Sequence, residues 1–151
     1  MPGSWTANEF LGLTDSSSQI TSPATRRYNC IAWAAKDDRR WWWPDPFEIG
    51  YWPIPVNNRS VTLAGFVEAF IALGYKLSTS GELEPNTEKI AIYGIDCPGG
   101  QATPTHAARQ LPSGDWTSKL GSFEDITHTT PEAVNGPIYG HVMAFMSRPR
   151  N

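Results

Sequence analysis

Only two cysteines, Cys30 and Cys97, occur in the 151 residues, too few for a disulfide scaffold. Histidine is scarce too, with three residues. His106, His128 and His141 do not stand at the short paired spacing of zinc motifs, so neither a metal nor another cofactor is expected. Charged residues make up 18 % and the net charge is −3, which gives no electrostatic reason to expect nucleic acid or an anionic membrane as partner. No apolar run approaches the roughly 20 residues of a membrane span; the one over residues 63–73 is interrupted by Glu68. Residues 1–18 lack the basic start and apolar core of a secretory signal. A cytoplasmic protein is expected, or one exported without a cleavable signal. No internal repeat is visible.

Hydrophobic residues are present at an ordinary 40 %. A chain of this length is expected to form one domain that buries roughly two-thirds of its unfolded surface. The first 25 residues read as an N-terminal arm with little periodicity, anchored by Trp5, Phe10 and Leu11, and residues 26–151 read as the domain. RRYNCIAWAAK, residues 26–36, suits a short helix. WWWPDPFEIGYWPIPV, residues 41–56, holds too many prolines for a helix or a central strand and is expected to be an ordered aromatic loop. VTLAGFVEAFIALGY follows, with apolar residues at helical spacing, Ser60 as N-cap and Gly74 as terminator. Strands are expected over residues 89–95, 105–111, 116–120 and 138–146. The second and third of these form a hairpin across Pro112-Ser113-Gly114-Asp115. Thr130 and Pro131 open a brief helix that ends near Gly136. Helices first and an antiparallel sheet second define an α+β domain.

A thiol acts as a nucleophile in its thiolate form, which a helix N-terminus and a nearby imidazole favour. Cys30 lies in the first turns of the predicted short helix, and His106 opens a predicted strand. An isolated buried cysteine is more often inert core than nucleophile; their joint placement raises this pair. Cys97, before Pro-Gly-Gly, reads as a structural thiol. His128 is expected to end a strand at the surface, and His141 to sit within an apolar strand. The aromatic loop, with Trp42, either lines a substrate groove or packs inward as a lid, because three consecutive tryptophans cannot all face water without creating a sticky patch. Asn29 is either the N-cap of the cysteine helix or an oxyanion donor.

Tyr28-Asn29-Cys30-Ile31-Ala32-Trp33, the strand Glu88 to Tyr93 and His106-Ala107-Ala108-Arg109-Gln110-Leu111 together resemble the NlpC-type papain-like hydrolases and the related CHAP amidases. The resemblance covers the order of elements over residues 26–120. YNCIAWA and HAARQLPSGDWTSKLG also resemble paired blocks of a bacterial family without an assigned activity. The resemblance implies N-terminal helices packed on a small antiparallel sheet in a papain-like core, with Cys30 as nucleophile and His106 as general base. It implies a third residue beside the histidine, for which hairpin register favours Ser118 and carboxylate chemistry favours Asp125. Tyr28 and Asn29 would serve the oxyanion, with Trp33 and Trp42 near the substrate. The expected activity is thiol-dependent hydrolysis of a peptide, isopeptide or peptidoglycan amide in a peptide or protein substrate. The same dyad could serve a deamidase or an acyl transferase, and the rival class is a non-catalytic interaction module.

Overall fold

The computed structural model describes residues 10, 12–14, 17–45, 47, 49–55 and 59–150; Trp5, Leu11 and Val56 lie outside them. Seven antiparallel strands form one sheet: β1 (Ser18–Ser22), β2 (Lys76–Ser78), β3 (Thr87–Asp96), β4 (Ala102–Gln110), β5 (Trp116–Lys119), β6 (Asp125–His128) and β7 (His141–Pro149). Their spatial order is β1-β6-β5-β4-β3-β7-β2. The described residues add two short α-helices, α1 (Cys30–Ala34) and α2 (Leu63–Ala72), and a 3-10 turn at Pro131–Val134.

This architecture overturns the expected α+β papain-like core with N-terminal helices packed on a small sheet. Three strands lie outside the expected ranges: the four-residue β6, interior between β1 and β5, and the two polar edges β1 and β2. β1, SQITS, pairs with β6 while carrying a single aliphatic side chain, Ile20. β2 is three residues long and pairs only with β7. Edge strands need one buried face at most, so hydrophobic alternation barely marks them. The expected arm is therefore partly sheet. The helical contribution shrinks as well: α1 is five residues long and ends where Lys36 takes a left-handed φ of 66°.

β3 lies between β4 and β7 and is buried on both faces, which explains its nearly continuous apolar run. Ile90 and Ile92 face one cluster with α1, α2, Trp42, Trp52, Phe66, Phe70 and Ala107. Ala91 and Tyr93 face a second cluster with Phe10, Leu13, Trp116, Ile126, Val134 and Tyr139. Full burial of each large apolar side chain is worth about 1.5–3 kcal/mol, so the two clusters hold the sheet from both sides. The N-cap of α2 is Thr62, whose hydroxyl accepts from Gly65 N at 3.0 Å, two residues later than the expected Ser60. Gly74 follows the helix at φ 94°, a conformation glycine adopts without steric cost. No helix among the described residues is long and apolar enough to cross a membrane.

Candidate active site

β4 and β5 pair only at Arg109↔Thr117 and Gln110↔Trp116. Beyond Thr117, β5 stays with β6, through Ser118↔Ile126 and Lys119↔Asp125, while β4 stays with β3. α1 packs against both strands where they part. Trp33 braces the opening: its indole Nε1 donates to Thr117 Oγ1 at 2.9 Å, and its ring stacks on Tyr28.

Cys30 is the first residue of α1, behind the N-cap Asn29. Its thiol contacts Thr105 O at 4.0 Å, and the Ala107 N–H points at the sulfur. These backbone groups lie on either side of His106. A bulge in the β3–β4 ladder falls at the same place, because Tyr93 pairs with His106 and Gly94 with Pro104, leaving Thr105 as the extra residue. Bulges re-aim neighbouring side chains, and this one borders the histidine.

His106 is fully buried between aromatic rings. Tyr139 stacks on the imidazole at 3.9 Å between centroids and 9° between planes, and Tyr93 tilts against it at 5.1 Å. Its Nε2 lies 3.0 Å from Ser118 Oγ, which in turn lies 2.8 Å from His128 Nε2. His128 Nδ1 is 2.7 Å from Thr130 O. The direction of each bond follows from the last. A carbonyl oxygen only accepts, so His128 Nδ1 carries a proton. Burial pushes His128 down to about 4, so at neutral pH its Nε2 is bare and must accept from the Ser118 hydroxyl. Ser118 Oγ then accepts from His106 Nε2–H. That leaves His106 Nδ1 without a proton, and this buried nitrogen has no hydrogen-bond partner. Burial, with a smaller contribution from His128, holds His106 well below the ordinary histidine range.

The thiol is neutral at rest. Burial raises Cys30 to about 11, outweighing the opposing backbone N–H groups of Ala107, Ile31 and Cys30 and the charge of Lys119. A helix of five residues adds individual N–H groups rather than a large macrodipole, so the helix start does not offset the burial that keeps the thiol protonated.

A family model described as a domain of unknown function (DUF7689) matches residues 19–147. The chain belongs to the DUF7689 family. No curated protein matches, and no solved structure matches.

Within this DUF7689 domain the other candidate residues serve the surroundings of Cys30. Asp125 accepts a short hydrogen bond from the Tyr28 hydroxyl and pairs in register with Lys119. Burial raises Asp125 against the opposing bonds from Tyr28 and Ser22, and burial followed by Asp125 raises the Tyr28 hydroxyl. Lys119 donates to the carbonyls of Thr25 at 2.7 Å and Gly121 at 2.8 Å, fixing the chain that enters α1. Asn29 is the helix N-cap, accepting from Ala32 N, and its amide donates to Trp42 O at 2.8 Å. The polar groups of Tyr28 and Asn29, expected as oxyanion donors, are thus hydrogen-bonded to Asp125 and to Trp42 O. Trp42 is 4 % exposed and its indole donates to Asp37 Oδ2 at 2.7 Å, so most of the ring is packed inward while its edge borders an open surface pocket with Asp37, Arg40 and Tyr51. Cys97 Sγ lies 3.1 Å from Thr103 Oγ1 in the β3–β4 loop. His141, expected in an apolar setting, is 53 % exposed and faces Asp96. No group of three or more His, Cys, Asp or Glu side chains converges on a metal position among the described residues.

Sequence reasoning missed two members of the site, His128 and Tyr139. His128 is 1 % exposed, not at the surface. The β5–β6 hairpin carried a usable signal, since Ser118 and His128 fall on one face once Trp116 pairs with His128. Tyr139 lies in the loop between the Gly136↔Gly140 bridge residues, and local sequence gives no sign that it reaches His106.

Proposed function

We infer that this DUF7689 domain is a cysteine-dependent acyl-transfer enzyme that hydrolyses amide bonds in a peptide or protein substrate. The observation that carries the reading is the directed hydrogen-bond chain, which leaves a bare, unpartnered imidazole nitrogen on His106 beside the backbone groups that Cys30 contacts. In this reaction His106 Nδ1 takes the thiol proton as Sγ attacks the carbonyl carbon. The C–N bond breaks, and the leaving amine receives that proton. Water then attacks the thioester, His106 again taking and returning a proton, to give the carboxylic acid and free Cys30. Ser118 orients the imidazole, the part a third residue plays in such sites. A glutamine side-chain amide or an amine acceptor would turn the same thioester chemistry to deamidation or acyl transfer.

Cys30 and His106 are 6 % and 0 % exposed, so substrate must displace a cover. Tyr139 lies on His106, and Phe10 packs on Tyr139 at 5.3 Å between centroids. The same burial and the raised thiol favour a second reading, a non-catalytic interaction module in which the pair is inert core.

The two readings part on intrinsic chemistry, which needs no natural substrate. The protein is treated with p-nitrophenyl acetate at neutral pH, and acetylation is mapped by peptide mass spectrometry. The enzyme reading expects acetyl transfer to Cys30 ahead of Cys97, lost in His106→Ala. Equal slow acetylation of both thiols, unaffected by His106→Ala, would establish the interaction module.

A further inference from the structure

We propose that His106, Ser118 and His128 form a proton relay in which His128 is the positioning residue that takes up the charge released when Cys30 loses its proton. This rests on the Cys30–His106 reading above. The hydrogen-bond directions set the path. The Sγ proton passes to His106 Nδ1, the His106 Nε2 proton passes to Ser118 Oγ, and the Ser118 hydroxyl proton passes to His128 Nε2. Three N–H or O–H bonds form, while the S–H bond, one N–H bond and one O–H bond break. The result is a thiolate, a neutral His106 in the opposite tautomer, a neutral Ser118 and an imidazolium at His128. Reversing the same three transfers returns the proton to the leaving group.

The surroundings explain why charge would settle at the far end of the chain. The His106 ring is enclosed by Tyr93 of β3, Tyr139 of the loop before β7 and Ser118 of β5, with Cys30 of α1 against its backbone. None of these is a carboxylate. His128 has a carbonyl, Thr130 O, fixed at 2.7 Å from Nδ1 to receive the second imidazolium N–H, and Asp115 favours its charged form. It also borders a polar cavity of about 360 Å³ shared with Ser17, Ser18, Gln19, Asp115, Thr127 and Thr129. Hydroxyl, amide and carboxylate walls of this kind solvate a cation better than stacked aromatic rings do. Burial depresses both imidazoles, and only at His128 does a carboxylate, Asp115, offset part of it.

The test begins on the wild-type protein. Long-range ¹H–¹⁵N spectra of histidine-labelled protein report which ring nitrogen is protonated, and only three histidines need assignment. His106 is expected as the Nε2–H tautomer and His128 as the Nδ1–H tautomer; the reverse at either residue overturns the relay. His128→Gln then separates holding from charge uptake, because a glutamine carbonyl can still accept from Ser118 but cannot take a proton. In this variant His106 is expected to keep its tautomer while Cys30 acetylation by p-nitrophenyl acetate slows at least tenfold. The wild-type rate is expected to fall along a curve as the D₂O fraction rises, and the His128→Gln rate along a straight line. His128→Gln acetylating within twofold of wild type, with His106→Ala inactive, would refute the relay and leave the dyad standing. Full acetylation in His106→Ala would remove both.

Discussion

Mild acid should destabilise this fold through its two buried imidazoles before its depressed carboxylates titrate. His128 is about 4 in the folded protein against 6.5 as the ordinary value, so the unfolded chain binds more protons between these limits. Stability contributed by the neutral ring is complete above 6.5 and is lost as pH falls toward 4. At pH 5 the linkage amounts to about 2 kcal/mol for His128 alone. His106, also depressed by burial, adds a loss of the same sign. Against a total stability of about 5–15 kcal/mol, that is a large fraction. The depressed carboxylates Glu88 and Asp37 lose their contributions only below their ordinary values of 4.5 and 3.8. Asp125, raised by burial, works in the opposite sense and gains stability as pH falls. Urea denaturation at pH 7.5, 6.5, 5.5 and 5.0 measures the loss, with His128→Gln as the control. The variant should lose about 2 kcal/mol less than wild type between pH 7.5 and 5. Equal losses in the two proteins would refute the assignment of a buried, neutral His128.

Other perturbations probe the parts around that core. Ser118→Ala removes the bond that fixes the His106 tautomer and leaves both imidazole nitrogens without their partner, so stability should fall by about 1–3 kcal/mol in urea denaturation. Phe10→Ala takes away the ring that packs on Tyr139, and Cys30 alkylation by iodoacetamide, followed by mass spectrometry, should become faster than in wild type. Glu88 is 2 % exposed and pairs with Lys36 and Arg148; Glu88→Gln strands those partly exposed cations, and a loss of roughly 2 kcal/mol is expected by denaturation. Gly140 has φ 71°, and a Cβ there would collide with the Gly94 carbonyl oxygen, so Gly140→Ala should cost about 3 kcal/mol or more and lower the thermal midpoint.

Several elements were legible because local physics carried them. The strand expected over residues 89–95 is the centre of β3, and the hairpin around Pro112–Asp115 joins β4 to β5 with Gly114 at φ 96°. The apolar spacing after Thr62 gives α2 within a few residues of its expected limits. Hairpin register pointed to Ser118 as the neighbour of His106, and the two are hydrogen-bonded. Carboxylate chemistry pointed to Asp125, which instead meets Tyr28 on the face of the sheet toward α1. Sequence distance from a histidine says nothing about the face a strand residue occupies until register is known, because one step flips every side chain.

The sequence by itself determined that Cys30 would lie in the first turns of a short helix, with the N-cap one of two readings for Asn29, and that His106 would lie on a β-rich segment, since capping and strand patterning act over a few residues. Only the tertiary structure decided that those elements belong to a seven-stranded antiparallel sheet, and that the sheet parts between β4 and β5 beside α1. Tertiary packing alone set the burial that keeps the Cys30 thiol neutral, the ring of Tyr139 over His106 and the place of His128 at the end of the Ser118 bond. Desolvation and bond direction depend on what surrounds a group in space, and those neighbours come from residues far apart in the chain.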